Sequence, residues 1–181
     1  MKEPKLLAVV GTKNSGKTTV AECVISGLTK KGFRVGSIKH IHHPEFSMDR
    51  EGTNTWRHAR AGSRMVAAVS RTEIALILKD DPTQTLDSVL DFMAREGIDI
   101  VVVEGLHSSI GQRPGVFKIV TAHDDGDLKQ KMQETIPPIL AISGVIASKN
   151  QHLLGVDVPV LDSRTECSKL VELVEKALIR R

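Results

Sequence analysis

A glycine-rich segment near the start of the chain restricts its fold more than any other feature. Residues 11–18 read Gly-Thr-Lys-Asn-Ser-Gly-Lys-Thr and fit the pattern G-x-x-x-x-G-K-S/T at every fixed position. An apolar, strand-like run at 5–10 precedes the segment, and apolar residues at helical spacing follow it. A strand, a glycine loop and a helix in this order direct the helix N-terminus and several backbone N–H groups at one anion. The segment therefore predicts a phosphate-binding loop rather than a chance match in a surface turn.

Two side chains of this loop have defined roles in such sites. Lys17 is expected to reach the β- and γ-phosphates of a nucleotide and to act in catalysis, and Thr18 to offer its hydroxyl to Mg²⁺. Lys39 and His40 close a second predicted strand at 34–39 and are expected beside the phosphates. The predicted nucleotide-binding residues are Gly11, Thr12, Lys13, Asn14, Ser15, Gly16, Lys17, Thr18, Thr19, Lys39 and His40.

Composition excludes several classes of protein. The 181 residues are enough for one domain with its own core, and we expect a single domain over 1–181. No apolar run approaches the roughly 20 residues that span a membrane, and the N-terminal run is too short for a signal peptide. Two cysteines, Cys23 and Cys167, lie in predicted helices and do not indicate a disulfide scaffold, so we expect a cytoplasmic protein. With no tyrosine and one tryptophan, the chain is poorly equipped to stack on single-stranded nucleic acid.

Strand-like and helical patterns alternate along the chain. Strands are predicted at 5–10, 34–39, 65–69, 73–78, 98–103, 116–120 and 139–143, with helices after several of them. Residues 123–127 are interpreted as a turn, and Ser163 with Glu166 as a capping box before the last helix. This alternation predicts an α/β fold: a P-loop NTPase-type, mostly parallel sheet flanked by helices on both faces. Ligands of such sheets lie at the carboxyl ends of the strands.

Two acids follow predicted strands where a magnesium site needs them. Glu104 ends the apolar run at 101–103, and Asp49 lies in the loop after the second strand. Magnesium is held by few protein oxygens together with phosphate and water, so Thr18, Asp49 and Glu104 are the predicted ligands. Asp49 and Glu104 are also predicted to act in catalysis with Lys17. The alternatives are a polar residue that only ends a strand, for Glu104, and a helix-capping or solvated acid, for Asp49.

The segment 39–71 is basic, with six lysines and arginines against three acids. Arg57, Arg60 and Arg64 would share one face of a helix continued through Gly62, so the segment is a candidate surface for a second anionic ligand. A solvated polar surface is the alternative. The histidines at 40, 42 and 43 lack a structural zinc spacing, which favours anion binding or loop polarity over a transition-metal site.

The sequence does not choose between GTP and ATP. A guanine-reading motif of the Asn/Thr-Lys-x-Asp kind is not clearly present, and the nearest segment, Ser148-Lys149-Asn150, has no acid after it.

Three segments in order resemble the molybdopterin-guanine dinucleotide biosynthesis adaptor family, MobB, from about residue 5 to residue 120. The first is the loop at 11–18, and the third is Val-Val-Val-Glu-Gly at 101–105 with Lys-Ile at 118–119. The second, Lys-His-Ile-His-His at 39–43 with Asp49 and Ala-Gly at 61–62, is the most specific. Departures occur at 52–54, where the family often has Gly-Lys-Asp, and at 106–107, where a common lysine is replaced.

The resemblance implies a GTP- and Mg²⁺-dependent P-loop protein with weak intrinsic GTPase activity. Such a protein assists a partner enzyme, the molybdopterin guanylyltransferase, which joins GMP to molybdopterin to make the guanine dinucleotide form of the molybdenum or tungsten cofactor. The partners implied are that enzyme, molybdopterin or its guanine dinucleotide, and a second copy in a homodimer. From composition we expect no nucleic-acid or membrane partner.

Two alternatives remain at this point. An ATP-dependent ligase resembling dethiobiotin synthetase shares the loop, a switch aspartate and the Val-Glu-Gly strand end. A nucleotide-dependent interaction module without useful turnover is the other.

Overall fold

A five-stranded sheet forms the centre of the computed structural model, which describes residues 3–41, 43, 45–78, 82–149 and 157–179. Its strands run parallel in the order β2-β5-β1-β6-β7. Seven helices lie in the described residues. The strands are β1 Lys5–Gly11, β2 Val35–Lys39, β3 Met65–Val69, β4 Ile74–Leu78, β5 Ile100–Glu104, β6 Phe117–Thr121 and β7 Ile139–Ser143. The helices are α1 Lys17–Lys30, α2 Asn54–Arg60, α3 Pro82–Arg95, α4 His107–Ile110, α5 Asp125–Gln133, α6 Val145–Lys149 and α7 Cys167–Ile179.

The chain divides into two compact units. The sheet unit comprises Met1–His40 and Leu90–Arg181, and the hairpin unit comprises Ile41–Val89. The single domain expected over 1–181 stays a prediction, because compact units of one chain are not necessarily separate domains.

The apolar runs of the sequence form the middle of the sheet. Leu7 to Val10 of β1 and Ile100 to Val103 of β5 are buried, as expected of parallel strands covered on both faces. Side chains of β1, β5 and β6 on one face pack against α1 and α7, while Ile110 of α4 and Leu128 of α5 are buried as well. The predicted α/β class with a mostly parallel sheet flanked by helices is confirmed. Among the described helices, none has the length and apolar character needed to cross a bilayer.

The two cysteines correct the expectation drawn from composition. Cys23 of α1 and Cys167, the first residue of α7, form a disulfide with their Cα atoms 5.8 Å apart. They are 144 positions apart in sequence and meet because α1 and α7 pack side by side. Local sequence patterns do not show which two helices are neighbours, so this pairing was not predicted.

Two local predictions near helix starts are wrong. Residues 123–127 are not a simple turn: Asp124 caps α5, its side chain accepting a hydrogen bond from the Asp127 N–H at 2.9 Å. The capping box of Ser163 and Glu166 does not form either. The helix begins only at Cys167, and the Glu166 carboxylate accepts from the Asp162 N–H at 3.3 Å instead. Short polar side chains support either a turn or a cap, and the residues after them decide which.

The hairpin unit contains α2 and the antiparallel pair β3–β4. Thr53 caps α2 by accepting from the Trp56 N–H at 3.2 Å. The helix ends at Arg60, and Gly62 follows in the left-handed region with φ of 108°. The helix therefore does not continue through Gly62, and Arg64 does not extend the helical row of Arg57 and Arg60, contrary to the alignment considered from sequence.

One face of the β3–β4 hairpin is apolar and exposed. Because side chains alternate along a strand, every second residue of β3 lies on the same face of the hairpin. The cross-strand partners of these residues on β4 lie on that face as well. On the other side Val66 is buried. The exposed face consists of Met65, Ala67, Val69, Ile74, Leu76 and Leu78.

Candidate nucleotide site

The glycine-rich loop connects the carboxyl end of β1 to the first turn of α1. Gly11 and Gly16 have φ of 154° and 96°, which residues with a side chain rarely adopt. Space also requires glycine: a Cβ on Gly16 would lie 2.9 Å from the Cα of Gly144, and one on Gly11 would collide with the Thr121 carbonyl oxygen. The loop is thus built from conformations that turn its backbone N–H groups toward a common anion.

The loop lysine is held by the loop itself. Lys17 Nζ donates to the carbonyl oxygens of Gly11, at 3.1 Å, and of Thr12. Burial lowers the pKa of Lys17, the charge of Glu104 opposes this, and the charge of Lys39 adds to the lowering. An anion in the loop would favour the charged ammonium and give it a stronger acceptor than the two neutral carbonyls.

A hydroxyl, a carboxylate and an ammonium meet beside the loop. Thr18 Oγ1 donates to Glu104 Oε1 at 2.8 Å, and Lys39 Nζ pairs with the same oxygen and lies 3.3 Å from Thr18 Oγ1. The register of the β2–β5 pairing explains the arrangement, because Lys39 and Glu104 lie opposite each other at the ends of these strands. Three predicted site residues from three elements are therefore brought together, and their binding roles stay predictions.

The remaining strand-end prediction, Asp49, belongs to the hairpin unit. Its Oδ1 atom accepts from Thr53 Oγ1 at 2.7 Å, from Thr55 Oγ1 at 3.0 Å and from the Arg50 N–H at 2.9 Å. This arrangement supports the start of α2, which is the structural role weighed as the alternative to metal binding. Its place as a metal ligand stays a prediction.

The histidine-rich segment at 40–43, of which His40 was predicted near the phosphates, is only partly described. The His40 N–H donates to the Glu104 carbonyl oxygen at 2.9 Å. The hydrogen bonding between β2 and β5 therefore extends one residue past the end of β2, to His40. His42, and Asn150 of the segment resembling a guanine motif, lie outside the described residues. Within the described part of the chain, no three His, Cys, Asp or Glu side chains are placed to hold a metal ion.

Sequence reasoning missed the residues of α5, and of the segment between β6 and α5, that brace the loop. Asp127 Oδ2 accepts from Thr12 Oγ1 at 2.7 Å and from the His123 N–H at 2.9 Å. The His123 ring Nε2 lies 2.7 Å from the Lys13 carbonyl oxygen. A signal was available, because these residues follow a predicted strand, but the Asp-rich segment was interpreted as a turn.

Buried polar contacts with β6 and α6 also fix the position of the loop. Ser15 Oγ and Thr121 Oγ1 are 2.6 Å apart, and both residues are fully buried. The Val145 N–H at the start of α6 donates to the Ser15 carbonyl oxygen at 3.0 Å. Contacts from β6 and α6 therefore fix the conformation of the loop independently of any ligand.

Comparison with known proteins gives a consistent result. The family model described as molybdopterin guanine dinucleotide synthesis protein B matches residues 6–142. A molybdopterin-guanine dinucleotide biosynthesis adapter protein of Haemophilus influenzae is 32% identical over 157 residues, which is 87% of this chain and 80% of that protein. The protein of the same description from Escherichia coli is 31% identical over 162 residues, 87% of this chain and 84% of that one.

Solved structures agree on the fold. The crystal structure of Bacillus subtilis MobB superposes with a TM-score of 0.73 at 22% identity, covering 98% of this chain and 99% of that chain. A MobB protein homolog from Bacillus stearothermophilus gives a TM-score of 0.69 at 23% identity, covering 95% and 97%. The predicted P-loop-type fold is thereby confirmed.

Proposed function

Because the chain belongs to the molybdopterin guanine dinucleotide synthesis protein B family, we propose that it is a GTP-binding adapter with weak GTPase activity in molybdopterin guanine dinucleotide biosynthesis. The observation that carries the nucleotide part is the meeting of Lys17, Thr18, Lys39 and Glu104 around the glycine loop. Family membership favours this role over the ligase alternative, which nothing in the site favours.

The loop backbone and two lysines provide the anion-binding part of the site. Lys17 gives up its hydrogen bonds to the Gly11 and Thr12 carbonyl oxygens and donates to phosphate oxygens instead. The start of α1 adds its N–H groups and the positive end of its dipole. Binding therefore replaces contacts between the ammonium and neutral carbonyl oxygens by contacts in which both partners are charged, which are stronger.

The donors beside the loop fit a magnesium ion. The Thr18 hydroxyl and the Glu104 carboxylate are hard oxygen ligands, and Lys39 Nζ already lies against both as a positively charged stand-in. A bound Mg²⁺ would offset charge on the phosphoryl oxygens, while Thr18 and Glu104 orient it from the first turn of α1 and the end of β5. Only a few protein ligands contribute, which is usual for Mg²⁺ bound together with phosphate and water.

Guanine is proposed as the base because the relatives are named for a guanine dinucleotide. The proposed partner enzyme is the guanylyltransferase that attaches GMP to molybdopterin, and molybdopterin or its dinucleotide is the proposed second ligand. The exposed Arg57 and Arg60 side chains on α2, with Arg60 5.5 Å from the centre of the Trp56 ring, give that anionic ligand a candidate surface. The cytoplasm is the proposed compartment because it supplies nucleoside triphosphates, and the single Cys23–Cys167 disulfide is then an exception to the reduced thiols that are usual there.

A homodimer is proposed through the exposed hairpin face. A two-stranded sheet is marginally stable alone, and six apolar side chains without a charge suit a partner of the same character. A second copy brings the identical patch about a two-fold axis, as an isologous interface requires. Val69→Asp should convert dimers into monomers in light scattering, and a parent chain that is monomeric at working concentration overturns this assignment.

Calorimetric titration with GTP, GDP and ATP in the presence of Mg²⁺ tests the nucleotide assignment. Lys17→Ala removes a charge-assisted contact, so GTP affinity should fall about ten- to hundredfold. Lys31→Ala is the matched control, since Lys31 is the C-cap residue at the opposite end of α1 from the loop and pairs with Glu175. Unchanged GTP affinity in Lys17→Ala contradicts the site, and equal affinity for ATP contradicts the choice of base.

A further inference from the structure

Lys39 occupies an unusual position for a lysine predicted to contact phosphate. Its ammonium does not face the loop carbonyls but pairs with Glu104 Oε1, the oxygen that also accepts the Thr18 hydroxyl. The same Nζ lies 3.3 Å from Thr18 Oγ1. A single positive charge thus contacts both oxygen donors that fit magnesium.

The two members of this ion pair differ in their freedom to move. The Glu104 side chain is 11% exposed and ends the buried strand β5, whereas the Lys39 side chain is 54% exposed at the end of β2. Lys39 can therefore turn away without opening the core. Glu104 cannot follow it, because its strand pairs with β1 and β2 on both sides.

Resting on the nucleotide site proposed above, we propose that Lys39 is an internal counter-ion that keeps free divalent cations out of the nucleotide-free site. An ammonium and a divalent cation at contact distance from the same carboxylate oxygen repel each other, so metal binding and the Lys39–Glu104 pair compete for Glu104. Phosphates remove this competition because they offer the ammonium a second anion. Metal affinity then depends on nucleotide, and by linkage nucleotide affinity depends on metal.

The competing explanation is an ordinary surface ion pair with no effect on the site. Such pairs contribute little, and their removal leaves binding elsewhere unchanged. The two explanations differ in what happens to cation binding when no nucleotide is present.

The test measures Mn²⁺ binding to nucleotide-free protein by electron paramagnetic resonance of the free ion. Lys39→Met keeps the apolar stem and removes the charge, and Lys31→Met removes the charge from a comparable Lys–Glu pair, Lys31 with Glu175. We expect Lys39→Met to bind Mn²⁺ about tenfold more tightly than the parent, and Lys31→Met to match the parent. Adding Glu104→Gln to Lys39→Met should abolish the gain.

Equal Mn²⁺ affinities in parent and Lys39→Met, including no binding by either, overturn the proposal. Lys39→Gln repeats the measurement if thermal unfolding shows that the Met variant is not folded. Failure of the proposed function looks different, because it appears as absent GTP binding by the parent in calorimetry whatever the Mn²⁺ result.

Discussion

The contact between Asp127 and the glycine loop allows a quantitative prediction. Asp127 accepts two hydrogen bonds, from Thr12 Oγ1 at 2.7 Å and from the His123 N–H at 2.9 Å. Hydrogen bonds to a charged group contribute about 1.5–3 kcal/mol each when buried, and the partial exposure of Asp127 reduces both. We therefore expect Asp127→Ala to lower the free energy of unfolding by about 2 kcal/mol.

A double-mutant cycle separates the loop contact from other effects of the aspartate. Asp127 lies in the first turn of α5, where a negative charge also favours the helix dipole. Asp125→Ala, in the same turn and exposed, is the matched control and should cost less than about 1 kcal/mol. Combining Asp127→Ala with Thr12→Val should reveal a coupling energy of about 1 kcal/mol between the two side chains.

Urea unfolding of the parent, the three single variants and the double variant measures these energies, provided that the slopes agree. GTP titration of the same proteins measures the effect of each variant on nucleotide binding by the loop. Asp127→Ala should weaken GTP binding more than Asp125→Ala does. Strictly additive effects of Asp127→Ala and Thr12→Val would refute the reasoning, because they would mean that α5 does not brace the loop.

Three further outcomes are expected. Glu104→Gln and Asp49→Asn should each reduce the rate of GTP hydrolysis far more than they reduce GTP affinity. If both amide variants hydrolyse GTP at the parent rate, the metal assignment is wrong. Burial and then the charge of Lys131 lower the pKa of His107 below 6.5, against the opposing charge of Glu134. The unfolded chain therefore binds this proton at a higher pH than the folded chain does, so the free energy of unfolding falls as the pH drops below about 6.5. Urea unfolding at several pH values should show a smaller fall of this free energy in His107→Gln than in the parent. Replacing Arg57 and Arg60 together by Ala should weaken molybdopterin or partner binding in a salt-dependent way while GTP affinity stays within a few fold, and normal molybdopterin binding would identify α2 as plain solvated surface.

Several features of the site could be predicted from the sequence because each depends on a short run of neighbouring residues. The spacing of Gly11, Gly16, Lys17 and Thr18 predicts the loop, and the apolar runs on either side predict the strands that carry it. Glu104 was found because an acid directly follows a buried strand, and strand ends meet at one edge of a parallel sheet.

One prediction failed and another stays untested where polar residues have several uses. The Asp-rich segment at 123–127 contains turn formers, yet Asp124 uses its carboxylate to start α5. Asp49 had the sequence position of a metal ligand, and in the hairpin unit it accepts hydrogen bonds from Thr53 and Thr55. The choice between these uses depends on neighbours that a short window does not contain.

The sequence by itself determined the loop, the α/β class and the order of the strands, because glycine spacing and apolar periodicity act over a few residues. Only the tertiary structure decided that Asp127 braces Thr12 across 115 positions and that Cys23 meets Cys167 across 144. It also decided that Lys39 contacts both the Thr18 hydroxyl and the Glu104 carboxylate. Each of these contacts depends on which strands and helices become neighbours. That choice is made by packing the whole core at once, so it leaves no local pattern from which to predict it.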